Sequence, residues 1–429
     1  MREKLISMQD DAFWLRLDNA AKIYPSVRTD ELTSVFRISV LLKERIKAKA
    51  FLGAIQEVEN RFPYYKVVLK PGFFWYYLEH HRRPIPVQPD LDIPCRAFDK
   101  QSFMFRVLAR DNRISVEFSH ILTDAAGGFE FLKCLLRVYL IHCGNPVAHN
   151  IPALLPSDEP GQEEYEDAYN RYFRKTVSPR MNLRASFHLP FSLNRPSELK
   201  VLTMEIPSDQ ILSKARYCGV SLTEYLISVY MFLLQDIYEE LPLLQQRTNN
   251  RIIRIEVPVN LRNFYPSHSM RNFSLYVLPE IDMRLGHYTF EEILETVHYL
   301  MQLETNKKLI HKILSRNVGG ERNLILKRIP LFLKSFLFNT FYALGTSRYS
   351  GVVTNLGNVK LPREISELID KFIFVPPPPS KKLKVNCGVI GFGNKLMLCF
   401  GNVTSSNTLE NKFGEFLRKE GLPCDIHAY

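Results

Sequence analysis

The sequence has few cysteines, and their spacing fits no common metal or disulfide pattern. The seven among 429 residues are Cys95, Cys134, Cys143, Cys218, Cys387, Cys399 and Cys424. They are odd in number and widely spaced, and no two form a C-x-x-C pair, which disfavours both a zinc site and a disulfide framework. The histidines also lack metal-ligand spacing. We therefore expect a protein of the reducing cytoplasm that binds no metal.

Motifs for nucleotides, nucleic acids and membrane spans are missing as well. There is no G-x-G-x-x-G or G-x-x-x-x-G-K-S/T loop, no zinc-finger spacing and no dense run of lysine and arginine. Residues 1–14 contain no apolar core of a secretory signal. The most apolar stretch, residues 329–345, is interrupted by Lys334 and Asn339, so it falls short of the roughly 18 uninterrupted apolar residues that a membrane span requires. We interpret it as a buried or interfacial helix that could contact a membrane peripherally.

The composition is that of a folded protein with a basic surface. Hydrophobic residues make up 46% and charged residues 24% of the sequence, as in globular proteins. A length of 429 residues suits two domains, because one domain usually holds about 100–200 residues. Lysine and arginine number 56 against 45 for aspartate and glutamate, an excess of 11. This excess favours anionic partners such as phosphorylated cofactors, acidic carrier proteins or an anionic membrane, whereas the missing motifs disfavour nucleic acid.

Helix and strand patterns alternate along the chain in two similar cycles. In the first cycle an amphipathic helix pattern over residues 44–62 precedes several short strand patterns, and a long apolar helix pattern follows at 129–144. Residues 145–200 are rich in proline and carry an acidic and a basic patch, so we predict the connection between two lobes there. We divide the chain into an N-terminal lobe at 1–175 and a C-terminal lobe at 176–429.

The strongest chemical signal lies where an alternating strand pattern ends in a histidine. In residues 113–120 (RISVEFSH) apolar and polar side chains alternate, which predicts a half-buried strand with His120 on its apolar side. The following ILTDAAGG predicts a tight turn into a helix, in which Asp124 and the small residues up to Gly127 and Gly128 let another segment approach closely. A neutral imidazole can serve as a general base. A structural histidine and a helix-capping Asp124 are the alternatives.

With these residues the chain resembles the CoA-dependent acyltransferase superfamily, which includes chloramphenicol acetyltransferase, the BAHD and alcohol acetyltransferases, and nonribosomal peptide condensation domains. SHILTDAAGG at 119–128 is similar to their H-x-x-x-D-G motif. Residues 255–273 resemble their second-lobe segment, and residues 354–362 resemble a late loop and strand. The resemblance extends over the whole chain. It implies an α/β (α+β) fold of two chloramphenicol acetyltransferase-like lobes, each a mixed β-sheet flanked by helices, with a channel between them.

The resemblance also implies an activity. It predicts an acyltransferase with no permanently bound cofactor that moves an acyl group from acyl-CoA, or from a phosphopantetheine thioester on a carrier protein, to an alcohol, sugar or amine acceptor. His120 would be the general base, and Asp124 would be a mainly architectural residue that pairs with an arginine. Arg262 is our candidate for that arginine. The candidates for the donor to the tetrahedral oxyanion are Asn272, Thr354 and Asn355.

Three features depart from the patterns of the superfamily. Ala125 stands where a glycine is usual, Ser119 stands where condensation domains have a first histidine, and the D-F-G-W-G motif of the plant enzymes is missing. The single histidine favours transfer to a small acceptor over peptide-bond formation. A catalytically silent member that binds a carrier protein or a lipophilic ligand is the alternative.

Overall fold

The computed structural model describes residues 13–175, 183–194 and 198–429, and sixteen strands and thirteen helices lie within these ranges. The first seven strands are β1 (Trp14–Arg16), β2 (Val35–Leu42), β3 (Val67–Pro71), β4 (Tyr76–His80), β5 (Val87–Pro89), β6 (Phe105–Arg110) and β7 (Arg113–Ser119). The others are β8 (Lys200–Pro207), β9 (Ile252–Asn260), β10 (Ser274–Val277), β11 (Glu280–Asp282), β12 (Gly351–Val359), β13 (Ile369–Val375), β14 (Val385–Phe392), β15 (Lys395–Asn402) and β16 (Asp425–Ala428). The helices are α1 (Tyr24–Val27), α2 (Ala48–Val58), α3 (Ala125–His142), α4 (Ala168–Tyr172), α5 (Ser208–Tyr217), α6 (Leu222–Glu239), α7 (Leu243–Thr248), α8 (Phe290–Glu304), α9 (Lys307–Glu321), α10 (Leu324–Arg328), α11 (Leu331–Thr346), α12 (Arg363–Ser366) and α13 (Thr408–Lys419).

A five-stranded sheet with the strand order β13-β2-β7-β6-β5 carries the motif histidine. Helices α2 and α3 pack against each other and bury their apolar side chains in the same core as the sheet. The edge strand β13 comes from the second half of the chain and runs antiparallel to β2, with Phe374 opposite Ile38. A strand from the second half thus completes the sheet of the first half.

The polar face of β7 is buried, which corrects the prediction of a half-buried strand. Glu117 accepts hydrogen bonds from Arg37 Nε at 2.8 Å and from Arg106 Nε at 2.7 Å. Arg37 also forms an ion pair with Asp90 at 2.9 Å. Buried charges of this kind persist only when partners and hydrogen bonds compensate their desolvation. The alternation pattern cannot show these partners, because they come from β2, β6 and the segment before β6.

An eight-stranded mixed sheet forms the second core, with the order β10-β9-β12-β14-β15-β8-β16 and with β11 beside β9. Strand β12 runs parallel to both β9 and β14. Helix α6 covers one face of this sheet and begins with a capping box of Ser221 and Glu224. Val353 belongs to the core on the face that α6 covers, whereas Ile390 and Met397 on the other face join the core of the first half. The two sheets therefore pack against each other where the halves meet.

The predicted connection at 145–200 passes from the first core to the second. Glu164 accepts hydrogen bonds from both terminal nitrogens of Arg61 at 2.8 Å, whereas Ala168 and Tyr169 belong to the second core. The predicted lobe boundary between residues 175 and 176 lies at the edge of 176–182, which is outside the described residues, so the boundary stays a prediction.

Within the described ranges, no single helix has the length and apolarity needed to cross a membrane. The pair α5 and α6 meets those criteria only when the two are taken together, across a bend of 83°.

Candidate active site

His120 is the first residue after β7. Its backbone N–H donates to the carbonyl of Ser34 at 2.9 Å, which continues the pairing with β2 and sets the direction of the side chain. The imidazole lies beside the ring of Tyr24, with centroids 5.6 Å apart and nearly parallel planes, and beside the ring of Phe36 at 4.9 Å. The residue as a whole is half-buried. The ring is thus held between two aromatic neighbours.

Asn272 determines which nitrogen of His120 carries the proton. The amide Nδ2 donates to Asp18 Oδ2 and to the backbone carbonyl of His120, each at 2.9 Å. Because both of these groups are acceptors, the amide nitrogen must face them, and Oδ1 then lies 3.3 Å from His120 Nδ1. Since Oδ1 can only accept, Nδ1 carries the hydrogen of the neutral ring. Nε2 is then the nitrogen with the free lone pair.

The environment keeps this imidazole neutral. Burial lowers the pKa of His120 below 6.5, and the hydrogen bond with Asn272, the charge of Asp124 and the backbone of Thr123 oppose that effect without cancelling it. Burial also raises the pKa of Asp18 to about 6, against the charge of Arg271 and the hydrogen bond from Asn272. At neutral pH we therefore expect an unprotonated base beside an ionised carboxylate.

Asp124 caps α3 and anchors the histidine turn to the second half of the chain. Its Oδ1 accepts from the N–H of Gly127 at 3.1 Å, so one of its two carboxylate oxygens caps the helix, as the alternative interpretation expected. Its Oδ2 accepts from Arg262 Nη1 and from the N–H of Phe273, both at 2.8 Å. Burial acts to raise the pKa of Asp124, but the Arg262 charge and these hydrogen bonds outweigh it and hold the pKa below its usual value. The structure thus brings Asp124 and its candidate partner together.

Gly127 and Gly128 lie in the first turn of α3 rather than in the turn before it, which corrects their predicted position. A Cβ atom on Gly127 would stand 2.2 Å from Thr123 Oγ1 and 2.8 Å from the carbonyl oxygen of Met270. A Cβ atom on Gly128 would stand 3.0 Å from the ring of Phe36. Thr123 Oγ1 donates to that same Met270 carbonyl at 2.7 Å. The missing side chains let the segment around Met270 reach the histidine turn.

The three candidates for the oxyanion donor occupy different environments. Both amide hydrogens of Asn272 are already engaged, so an oxyanion would have to displace Asp18 or a backbone carbonyl. Asn355 donates to Thr223 Oγ1 at 2.9 Å, at the start of α6, and accepts from the N–H of Gly357 at 2.8 Å. Thr354 lies two residues after Val352 on β12, so both side chains are on the same face of the strand, and Val352 pairs with Glu256 on β9. Of the three, the structure joins only Asn272 to His120 by a hydrogen bond.

Sequence reasoning missed Asp18, Tyr24 and Glu256. The first two lie far from the motif along the chain and carry no recognisable spacing. Glu256 interrupts the apolar strand β9, which is a detectable signal of a buried carboxyl group. Burial raises its pKa to about 7, against a hydrogen bond from Tyr349. The charge of Glu256 also acts on the phenol of Tyr24, the residue whose ring lies beside His120.

Two cavities lie away from this group of residues. One of about 360 Å³ is lined by Asp92, Leu199 and Tyr429 among others. One of about 300 Å³ is lined by Tyr238 and Arg251 among others. His120 lines neither cavity, so the channel to it stays a prediction.

Comparison with protein-family models found no match, and comparison with curated proteins found none either. Solved structures do match. The epimerization domain from the third module of tyrocidine synthetase B aligns with a TM-score of 0.63 at 10% identity, over 97% of this chain and 97% of that domain. The condensation domain from Monacolin K polyketide synthase MokA aligns at 0.59 and 10%, over 95% of this chain and 97% of that domain. The nonribosomal peptide synthetase FmoA3 aligns at 0.62 and 14% over 97% of this chain, which spans only 45% of that synthetase.

At these identities the likeness establishes the fold. The chain has the two-lobed chloramphenicol acetyltransferase-like fold of condensation domains, with mixed sheets flanked by helices, which confirms the fold class expected from the sequence. The histidine turn joins the two halves of this fold, since its partners Arg262 and Asn272 come from the segment between β9 and β10.

Proposed function

We propose that the protein is a cytoplasmic acyltransferase that moves an acyl group from a thioester to a hydroxyl or amine acceptor, with His120 as the general base. The observation that carries this proposal is the orientation of Asn272, which assigns the proton of the neutral imidazole to Nδ1 and leaves Nε2 able to accept one. The likeness to the condensation domain from Monacolin K polyketide synthase MokA supports the reaction class.

In the proposed reaction His120 Nε2 takes the proton of the acceptor as the acceptor oxygen or nitrogen attacks the thioester carbonyl. The carbonyl oxygen becomes a tetrahedral oxyanion, and its collapse breaks the carbon–sulfur bond. The departing thiolate takes the proton back from the imidazolium, so the histidine returns to its neutral state. Asn272 stabilises the imidazolium intermediate, because its Oδ1 accepts from Nδ1–H in both states.

The single histidine favours a small alcohol, sugar or amine over a carrier-bound peptide as acceptor. Ser119, which stands at the place of the first histidine in condensation domains, is buried and within 3.2 Å of the Ser34 hydroxyl. It therefore supplies no second base. The excess of 11 basic residues suits the phosphates of a donor such as acyl-CoA, and an acyl carrier protein with its phosphopantetheine arm satisfies the same preference.

The test compares His120→Ala with wild type in reactions of acyl-CoAs and a panel of alcohols, sugars and amines, followed by mass spectrometry of acylated products. Removing a general base should lower turnover by about 10²–10⁴-fold. His427→Ala, which removes an exposed histidine of β16, is the matched control and should leave turnover unchanged. Turnover of His120→Ala within a few fold of wild type would exclude His120 as the base. Binding of thioesters by the wild type without any acylated product would favour a catalytically silent protein.

A further inference from the structure

Helix α11 exposes its apolar side chains and buries its one charge. Phe332 and Phe336 are 72% and 73% exposed, and Phe341 and Leu344 are exposed as well. Lys334, the only charged residue of the helix, is fully buried. Its Nζ donates to the carbonyl of Phe74 at 2.8 Å. A helix on the surface of a globular protein has the opposite arrangement, with charged residues outside and apolar residues inside.

A neighbouring loop extends the same surface. The N–H of Leu331 donates to the carbonyl of Phe73 at 2.9 Å, and Lys334 lies over the ring of Trp75 at 3.7 Å, so the loop between β3 and β4 is fastened to α11. Phe73 and Phe74 are also exposed. We call the set Phe73, Phe74, Phe332, Phe336 and Leu344 the outer apolar face. These five exposed large apolar side chains exceed the scattered exposure that is usual for soluble proteins.

Basic residues are concentrated in the part of the sequence that contains α11. Residues 305–350 contain nine lysines and arginines and one glutamate. This segment therefore accounts for most of the excess of 11 positive charges in the whole chain. Lys327 and Arg328 are exposed at the end of α10, immediately before α11. Apolar side chains bordered by exposed cations are the combination that binds an anionic bilayer, since the rings enter the headgroup region and the cations contact lipid phosphates.

We propose that the outer apolar face docks on an anionic membrane surface, with α11 lying in the plane of the interface. The charge of the segment selects this occupant over a neutral apolar surface. Lys327 and Arg328, at the end of α10 immediately before α11, would then contact the headgroups. The membrane is thus an environment in which the exposed phenylalanines would leave water.

The proposed docking face lies close to the candidate active site. Helix α1 packs against α11, where Ser26 Oγ donates to Ser335 Oγ at 3.3 Å. Tyr24 of the same helix α1 lies beside the His120 ring. A lipophilic acceptor dissolved in the bilayer would therefore be close to the base. This consequence for the acceptor rests on the proposed acyltransferase function, whereas membrane binding does not.

The test is co-sedimentation of the full chain with phosphatidylcholine vesicles that contain or lack phosphatidylglycerol. The protein should bind the anionic vesicles, and high salt should weaken binding by about fivefold or more because it screens the basic residues. The double variant Phe332→Ser/Phe336→Ser should weaken binding by about tenfold or more, because it removes two rings whose transfer from water into the membrane favours binding. The matched control is Leu243→Ser/Leu244→Ser on α7, where residues that are 73% and 75% exposed are changed and binding should persist.

Two outcomes would overturn the proposal. One is failure of the wild type to bind anionic vesicles, including the case in which light scattering shows that the outer apolar face instead joins two copies of the chain. The other is unchanged binding by the phenylalanine variant, with its thermal unfolding midpoint equal to that of wild type. The assay involves no turnover, so loss of the acyltransferase function and loss of membrane docking are distinguishable.

Discussion

The substitution Asn272→Ala tests the orientation of the base, because it leaves His120 present but removes the residue that orients it. In the wild type the amide oxygen of Asn272 lies 3.3 Å from His120 Nδ1, and the amide nitrogen is held by Asp18 and by the His120 carbonyl. Alanine removes these contacts and leaves the imidazole, its neighbouring rings and the Asp124 anchor in place. The proton of the neutral ring can then occupy either nitrogen, so Nε2 should no longer be the unprotonated nitrogen in every molecule.

The expected loss follows from the hydrogen bond that selects the tautomer. A hydrogen bond of this kind contributes about 0.5–1.5 kcal/mol, and about 1.4 kcal/mol corresponds to a tenfold change in population or rate. We therefore expect kcat to fall by about 2- to 10-fold, well below the loss expected for His120→Ala. Asp18 also loses a donor and keeps Arg271 at 3.7 Å, so the free energy of unfolding should fall by about 1–3 kcal/mol.

The assay combines steady-state kinetics with NMR of the chain labelled with ¹⁵N at histidine. In the wild type the signals of His120 should show a protonated Nδ1 and an unprotonated Nε2, whereas Asn272→Ala should show a mixture. Asn402→Ala is the matched control. Asn402 is a buried amide that donates to Glu410 at 2.6 Å and to the Ser406 carbonyl at 2.8 Å, so its loss should cost similar stability without changing kcat.

The reasoning would be refuted by an Asn272→Ala protein that is folded, keeps kcat within twofold of wild type and still carries the His120 proton on Nδ1. A loss of kcat equal to that of Asn402→Ala would also contradict it, because the effect would then report stability alone.

Three further predictions concern the same turn. Asp124→Ala leaves Arg262 without its ion pair, so the free energy of unfolding should fall by about 3 kcal/mol or more in urea titrations. Gly127→Ala places a Cβ atom 2.2 Å from Thr123 Oγ1, so it should cost about 1–3 kcal/mol and lower the Tm, and an unchanged Tm would contradict the packing described. Because burial lowers the pKa of His120, the base stays neutral below pH 6.5, so the acid limb of kcat/KM should lie below 6.5, as rates from about pH 5 to 8 would show.

Local patterns predicted the elements of this fold better than their assembly. The helix expected at 44–62 is α2 with a short 3₁₀ turn after it, and the strand ending at His120 is β7. The pairing of β13 with β2 was not predictable, because it joins segments from opposite halves and leaves no periodic signal in either. The buried partners of Glu117 were missed for a different reason, because a charged residue in an alternating strand normally indicates a solvent face.

The candidate site was predictable where residues are close in sequence or match a motif. His120, Asp124 and Arg262 come from the resemblance, and the structure places the last two 2.8 Å apart. Asn272 was also predicted with the help of the resemblance, but as a donor to the oxyanion rather than as the residue that orients the base. Its amide orientation depends on Asp18, which lies far from the motifs along the sequence although it contacts Asn272 in the fold, so no sequence pattern contains that information.

The orientation of the base depends on contact between the two halves. His120 and Asp18 belong to the first half, whereas Arg262 and Asn272 belong to the segment that follows β9 in the second. Apolar side chains of the second half, such as Ile390 and Met397, join the core of the first half, so packing away from the site also holds the halves together. Because Asn272 selects the proton position of His120, separation of the two halves at this contact would remove the preference for a free Nε2. The pairing of β13 with β2 opposes that separation, since it makes the edge of the sheet that carries His120 a part of the second half.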